Sequence, residues 1–278
     1  MKPQDRGGEG LGSQSLSEDQ PLLVDGRVAS PEAKALFFEI ARCANIESHF
    51  EHQAAAGAPC RDVISTQSAS SLGEFQLPEP WCGDIQTAPV LFVSSNPSIG
   101  EDSHSGWFGA NRKIWDSHVN LFFDPRWSRE GIYTVLSDGQ RNANWVRYWA
   151  AARARAEELL GRRADPGRDY ALTEVVHCKS RRERGVSSAQ PECVARYLRR
   201  VVALSAARVI VVFGDIARRS FEETFETSAS RRLIGRFVIE GRERIVLSLP
   251  HPNARMKRNV REFVSEEELR DIQQFLSE

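Results

Sequence analysis

Four short apolar runs punctuate the chain: Pro89–Ser94, Ala171–Val176, Arg208–Phe213 and Ile245–Leu249. Each is rich in β-branched residues and too short for a buried helix, so each predicts a strand. Helical patterns fall between them, at Asn144–Leu160, Glu192–Ser205 and Asp215–Phe225. A last helix is predicted over Glu266–Leu276, with Ser265 as its N-cap and Glu268 at the capping-box position. Upstream, Ser30-Pro31-Glu32 reads as a helix start. Leu36, Phe37, Ile40, Ala41 and Ala44 follow at helical spacing. Residues 1–30 are polar and glycine-rich and read as a loose leader, and Ala54–Leu77 reads as a loop.

Strands separated by helices predict a parallel sheet with helices on both faces. The expected architecture is a three-layer α/β sandwich around a four-stranded parallel sheet, in one domain over residues 31–278. Ligands of such sheets bind beyond the carboxyl ends of the strands. Chemistry is therefore sought at Ser94-Ser95-Asn96-Pro97-Ser98, at Glu174 with His177-Cys178-Lys179, at Gly214-Asp215, and at His251-Pro252-Asn253. Taken singly, each piece also has a structural explanation: Asn-Pro in a turn, His-Pro in a loop, an arginine run on a solvated surface.

Composition narrows the classes. The chain has 278 residues, 41% hydrophobic, enough for a sizeable core. Lys plus Arg is 37 against Asp plus Glu 38, which excludes a polybasic coat but not local basic patches. The run Val209–Phe213 is far short of the ~18 apolar residues of a membrane span. The first residues lack the apolar core of a signal peptide. A cytoplasmic protein without a membrane partner, acting as a monomer, is expected. Five cysteines without a C-x-x-C pair argue against a disulfide scaffold and a zinc ribbon. No G-x-G-x-x-G or phosphate loop points to an unrelated nucleotide-binding fold.

The residues at the strand ends resemble the uracil-DNA glycosylase superfamily. The first motif of that superfamily closes the first strand and stands here as Ser94-Ser95-Asn96-Pro97-Ser98. The stretch through Glu101-Asp102 to Trp107-Phe108-Gly109 follows the spacing of its iron–sulfur branch. Leu172-Thr173-Glu174-Val175-Val176-His177-Cys178 matches the second strand of that branch. Cys193 to Leu198 matches a C-x-x-Y-L helix start, and Phe213-Gly214-Asp215-Ile216-Ala217 an L-G-x-x-A turn. His251-Pro252-Asn253 stands for the second motif, H-P-S. The resemblance runs from about Pro89 to Arg258, with the elements in family order.

The resemblance implies a DNA glycosylase that hydrolyses the N-glycosidic bond of a flipped deaminated or damaged base, uracil or a related one, in base-excision repair. It implies that Asn96 orients the attacking water, that His251 donates to the departing base, and that Ser95 and Phe108 line the base pocket. Glu174 departs from the family's Asn. Ionised Glu only accepts hydrogen bonds, whereas protonated Glu donates once and accepts once. The alternative for Glu174 is an ion pair with Arg181 or Arg182, away from any base. Lys179, Arg181 and Arg182, and on a second loop Arg255 and Lys257, are expected at DNA phosphates. Arg255 or Met256 is expected as the wedge where the base leaves. Cys178 and Cys193 fall near two cluster-ligand positions, but Cys43, Cys60 and Cys82 form no close pair. An iron-free protein with buried free thiols is expected, with Cys178 and Cys193 as ligands if a cluster exists. Serines in place of the first-motif glycines, and Glu174, keep open a non-catalytic DNA-binding member of the same fold.

Overall fold

The computed structural model describes residues 23–24, 27–52, 57–99, 132–135, 141–227, 234–254 and 259–278. Phe108, Arg255, Met256, Lys257 and most of the leader lie outside them.

The centre is a six-stranded mixed sheet, not the four-stranded parallel sheet expected. Its strands are β1 (Trp81–Cys82), β2 (Val90–Ser94), β3 (Tyr170–Glu174), β4 (Val209–Phe213), β5 (Ile234–Ile239) and β6 (Arg242–Leu249), in the order β1-β3-β2-β4-β6-β5. The four expected strands are there, mutually parallel, as β3-β2-β4-β6. Antiparallel β1 and β5 extend the two edges. Every residue of β2, β3 and β4 is buried, because helices cover both faces and leave no solvent side to be polar.

The missed β5 hairpin has a local cause. Ile239 pairs with Arg242, so only Glu240 and Gly241 make the turn. Both have positive φ, 50° and 73°, the backbone of a two-residue hairpin turn. Glycine takes this conformation without steric cost, and Glu240 is carried into it by the pairing on either side.

The helices are α1 (Pro31–Ala41), α2 (Ala44–His52), α3 (Arg61–Ser65), α4 (Arg147–Leu160), α5 (Val186–Cys193), α6 (Gly214–Phe225) and α7 (Glu266–Ser277). Ser30 caps α1 and Ser265 caps α7 with the expected capping box. Within the stretch read as a loop, the structure has α3 and a short 3-10 turn, Leu72–Glu74. The helix expected over Glu192–Ser205 begins earlier, at Val186, and passes through a π-helical turn, Val194–Leu198, before ending at Leu204.

One sheet face, through Leu91, Val93, Ile210, Val212 and Val246, packs on residues of α1, α3, α5 and α6. The other, through Phe92, Val211, Phe213 and Leu247, packs on Ala152, Ala156 and Leu159 of α4 and Leu269, Ile272 and Phe275 of α7. Each such aromatic or aliphatic side chain stabilises the fold by about 1.5–3 kcal/mol on full burial. The order β3-β2-β4 makes the chain cross from β2 to either side. The carboxyl ends of β2 and β4 therefore flank the crevice where such sheets bind ligands.

Candidate functional site

The loop that closes β2 continues alongside the segment that leaves β3. Val175 N–H donates to Ser94 O (2.9 Å), Val176 N–H to Ser95 O (3.0 Å) and Ser180 N–H to Pro97 O (3.0 Å). This ladder fixes residues 94–98 beyond the sheet edge. Asn96 is half-buried there, and its amide Nδ2 donates to Pro97 O at 2.8 Å. That commitment leaves Oδ1 as an acceptor for water.

Ser95, expected at the base, is buried, and its hydroxyl donates to Glu183 Oε1 at 2.5 Å. The sequence reading did not single out Glu183. Its carboxylate is also felt by His251, whose basicity it raises. Glu183 is thus bonded to the first-motif loop and acts by its charge on the histidine that follows β6.

His251 is half-buried after β6. Desolvation holds its pKa below the ordinary 6.5, Glu183 opposes that shift, and the positive charge of Arg155 reinforces it. Its Nδ1 accepts the backbone N–H of Asn253 at 3.2 Å. A neutral imidazole that accepts on Nδ1 carries its proton on Nε2. The ring therefore presents a neutral N–H donor.

An aromatic series leads from the core to this ring. Phe92 stacks on Phe213 (5.1 Å, 21°), Tyr148 meets Phe213 edge-on (6.0 Å, 83°), and Tyr148 lies parallel to His251 (5.8 Å, 19°). These separations suit favourable aromatic pairs, about 0.5–1.5 kcal/mol each beyond burial. Gly214, with φ 80°, completes the seat: a Cβ there would come within 3.3 Å of His251 Cβ. The guanidinium of Arg155 lies over the Phe213 ring, 4.7 Å from its centroid. The sequence did carry a signal for Arg155. It is a charge at the spacing of Ala152, Ala156 and Leu159 on the buried stripe of α4.

Glu174 ends β3 and is buried, 7% exposed. Desolvation raises its pKa well above the usual carboxyl range, the charge of Glu79 raises it further, and Lys179 and Ser94 oppose the rise. The carboxyl is thereby driven towards its neutral form. The Tyr148 hydroxyl is buried close by, with no well-formed hydrogen bond. Burial first, then the charge of Glu174, pushes its pKa up, and Ser94 pulls it down. Glu174 does not pair with Arg181 or Arg182, which are exposed.

Lys179 corrects one expectation. It is 3% exposed and pairs with Glu79 at 2.6 Å, so its ammonium is not on the surface where a phosphate would meet it. Glu79 is itself pinned to the strand extension. Its N–H donates to His177 O (2.9 Å), and its carbonyl accepts from His177 Nδ1 (2.8 Å). Burial takes the pKa of His177 down to about 4, so this second histidine is a neutral structural link.

Four of the cysteines share one side of the sheet. Cys43 and Cys60, seventeen positions apart in sequence, come to Cys178 and Cys193 on one side of the sheet. Burial first, and then neighbouring thiols of the same set, raise the pKa of Cys60, Cys178 and Cys193. Donors face the sulfurs: Tyr197 Oη and Arg196 Nη1 reach Cys43 Sγ (3.6 and 3.7 Å), and Asn45 Nδ2 reaches Cys60 Sγ (3.4 Å). Such donors stabilise thiolates and tune bound clusters. No three His, Cys, Asp or Glu side chains among the described residues are placed to hold a single metal ion. Four thiols match the donor number of an iron–sulfur cubane.

Among the described residues, no helix is long and apolar enough to cross a membrane. A family model described as "Uracil DNA glycosylase superfamily" matches residues 80–273, most of the chain and all six strands of the sheet. No curated protein matches the chain.

Proposed function

We propose that this chain, which belongs to the uracil DNA glycosylase superfamily, is a DNA glycosylase that hydrolyses the N-glycosidic bond of a flipped, deaminated base. The observation that carries the reading is His251. It is a neutral imidazole whose tautomer is set by Asn253, and its Nε2–H is ready to donate. Breaking the bond leaves negative charge on a base carbonyl oxygen and positive charge on the sugar. A neutral donor with a depressed pKa stabilises that oxygen without giving up its proton. Asn96 orients the attacking water through Oδ1. Glu174, in its neutral form, donates to one base atom and accepts from the next, as an amide would, which suits the O4 and N3–H edge of uracil. Exposed Arg181 and Arg182 meet DNA phosphates. Phe108 keeps the base-stacking role that the family resemblance gives it, and Arg255, Met256 and Lys257 keep the wedging and phosphate-contact roles expected from the basic loop that carries them.

We propose further that Cys43, Cys60, Cys178 and Cys193 hold an iron–sulfur cluster. The burial of these thiols on one side of the sheet and the donors that reach Cys43 and Cys60 support this. Such a cluster would tie α2 and α3 to the end of β3 and the helix of Cys193. No disulfide joins any of the five cysteines, which favours a reducing, cytoplasmic compartment.

The test is a base-release panel with oligonucleotides carrying uracil, hypoxanthine, xanthine or a thymine mismatch. Free base and alkali-labile abasic sites are scored. Release of uracil, lost in His251→Ala, is the expected result. Binding without release from any substrate would favour the non-catalytic member of the fold, to which the serines at 94 and 98 lend some support.

A further inference from the structure

The first motif supplies an amide, Asn96, where acid–base chemistry calls for a proton acceptor. An amide orients water but takes no proton from it. The fold brings a carboxylate to the same place from a different loop. Ser95, next to Asn96, donates its hydroxyl to Glu183 Oε1 at 2.5 Å.

The loop spends conformational energy to put it there. Arg182 and Glu183 have φ of 53° and 57°, two consecutive left-handed residues that are not glycine. Each such residue costs roughly 1–2 kcal/mol relative to ordinary backbone. The turn is held by Ser180 Oγ on Arg184 O (2.9 Å), Arg184 N–H on Arg181 O (3.2 Å) and Val186 N–H on Glu183 O (3.2 Å). Strain held by surrounding bonds at the mouth of a site is a pointer to function.

The carboxylate of Glu183 also acts on His251, after β6, where its charge opposes the lowering of the imidazole pKa. With Oε1 taken by Ser95, Oε2 is the oxygen available to a water held by Asn96. Arg181, Arg182 and Arg184, exposed on the same loop, face solvent beside it.

Resting on the glycosylase reading above, we propose that Glu183, latched by Ser95, is the catalytic carboxylate that takes a proton from the attacking water. The water oxygen bonds to C1′ of the deoxyribose as one of its protons passes to Glu183. The C1′–N bond breaks, and its electron pair leaves with the base, whose carbonyl oxygen accepts the hydrogen bond of His251 Nε2–H. The base anion then takes a proton from solvent, and Glu183 returns its own to solvent. A carboxylate at this position would also stabilise the developing positive charge of the sugar.

Glu183→Gln tests this, because Gln Oε1 still accepts from Ser95 and the latch is kept. Single-turnover release of uracil and DNA affinity are measured for both proteins. The expected result is a rate constant about 10²–10³-fold lower, with affinity changed by less than about threefold. Glu183→Ala should fall similarly and recover part of its rate with added formate, which supplies a carboxylate in the vacated space. A Glu183→Gln protein within about threefold of the parent's rate would overturn the assignment and leave Glu183 as a latch only. A parent that releases no base would instead overturn the glycosylase reading, and this assignment with it.

Discussion

The backbone N–H of Asn253 donates to Nδ1 of His251 at 3.2 Å, and this one bond decides which ring nitrogen carries the proton in the neutral imidazole. Burial and the charge of Arg155 both keep the ring neutral. His251 is expected to titrate below 6.5 and to be the Nε2–H tautomer at neutral pH, as read by nitrogen NMR of the imidazole. Replacing it with Ala should lower single-turnover base release by about 10²–10³, the usual cost of one transition-state donor. A ring found protonated at pH 7 would contradict the neutral-donor role.

Glu174 predicts a limb on the alkaline side. Its pKa is raised, so the carboxyl is neutral at lower pH and ionises as pH rises through the raised value. Ionisation removes its only donor, so uracil release should fall over that range. Glu174→Gln keeps one donor and one acceptor at all pH values and should flatten the limb. If Glu174→Gln retains the same alkaline fall, another group is responsible.

Arg181 and Arg182 are exposed, whereas Lys179 is buried against Glu79, so the three basic residues should behave differently. The double Ala variant of the arginines should weaken binding of all DNA sequences alike. It should lower the slope of log affinity against log salt by about two units, one per lost phosphate contact. Lys179→Met should leave the slope alone. It should instead lower stability by roughly 2–3 kcal/mol in urea unfolding, somewhat less than for a fully buried pair because Glu79 keeps contact with water.

The cysteine cluster predicts iron. Protein expressed with iron and sulfide and purified without oxygen is expected to be brown, with about four irons per chain. Cys60→Ser should lower the iron content and the unfolding temperature. Cys82→Ser should not, since Cys82 lies on edge strand β1, near Glu79 and Glu174, away from the other four. Colourless parent protein after such preparation would return the four thiols to a structural role.

The sequence by itself determined the periodic part of this protein. The runs at 89–94, 171–176, 208–213 and 245–249 are strands because β-branched residues fill a pleat buried on both faces. The ends of α1 and α7 follow from Ser30 and Ser265, whose capping bonds are local. The order of elements, with Asn96, Glu174 and His251 each following or closing a strand, put the candidate chemistry at one sheet edge. Tertiary structure decided what depends on distance through space. Lys179 and Arg181 are two residues apart in the chain, yet one is buried with Glu79 and the other is exposed, because only the fold brings Glu79 to the end of β3. Cys43 and Cys60 look scattered in sequence, and the packing of the helical segments that carry them returns them to Cys178 and Cys193. Glu183 reads as one more charge in an arginine-rich loop until a left-handed turn swings it onto Ser95. Hydrophobic periodicity is written in neighbouring residues and can be read along the chain. A hydrogen bond between residues 88 positions apart has no local trace, because it exists only after the sheet has brought its two loops together.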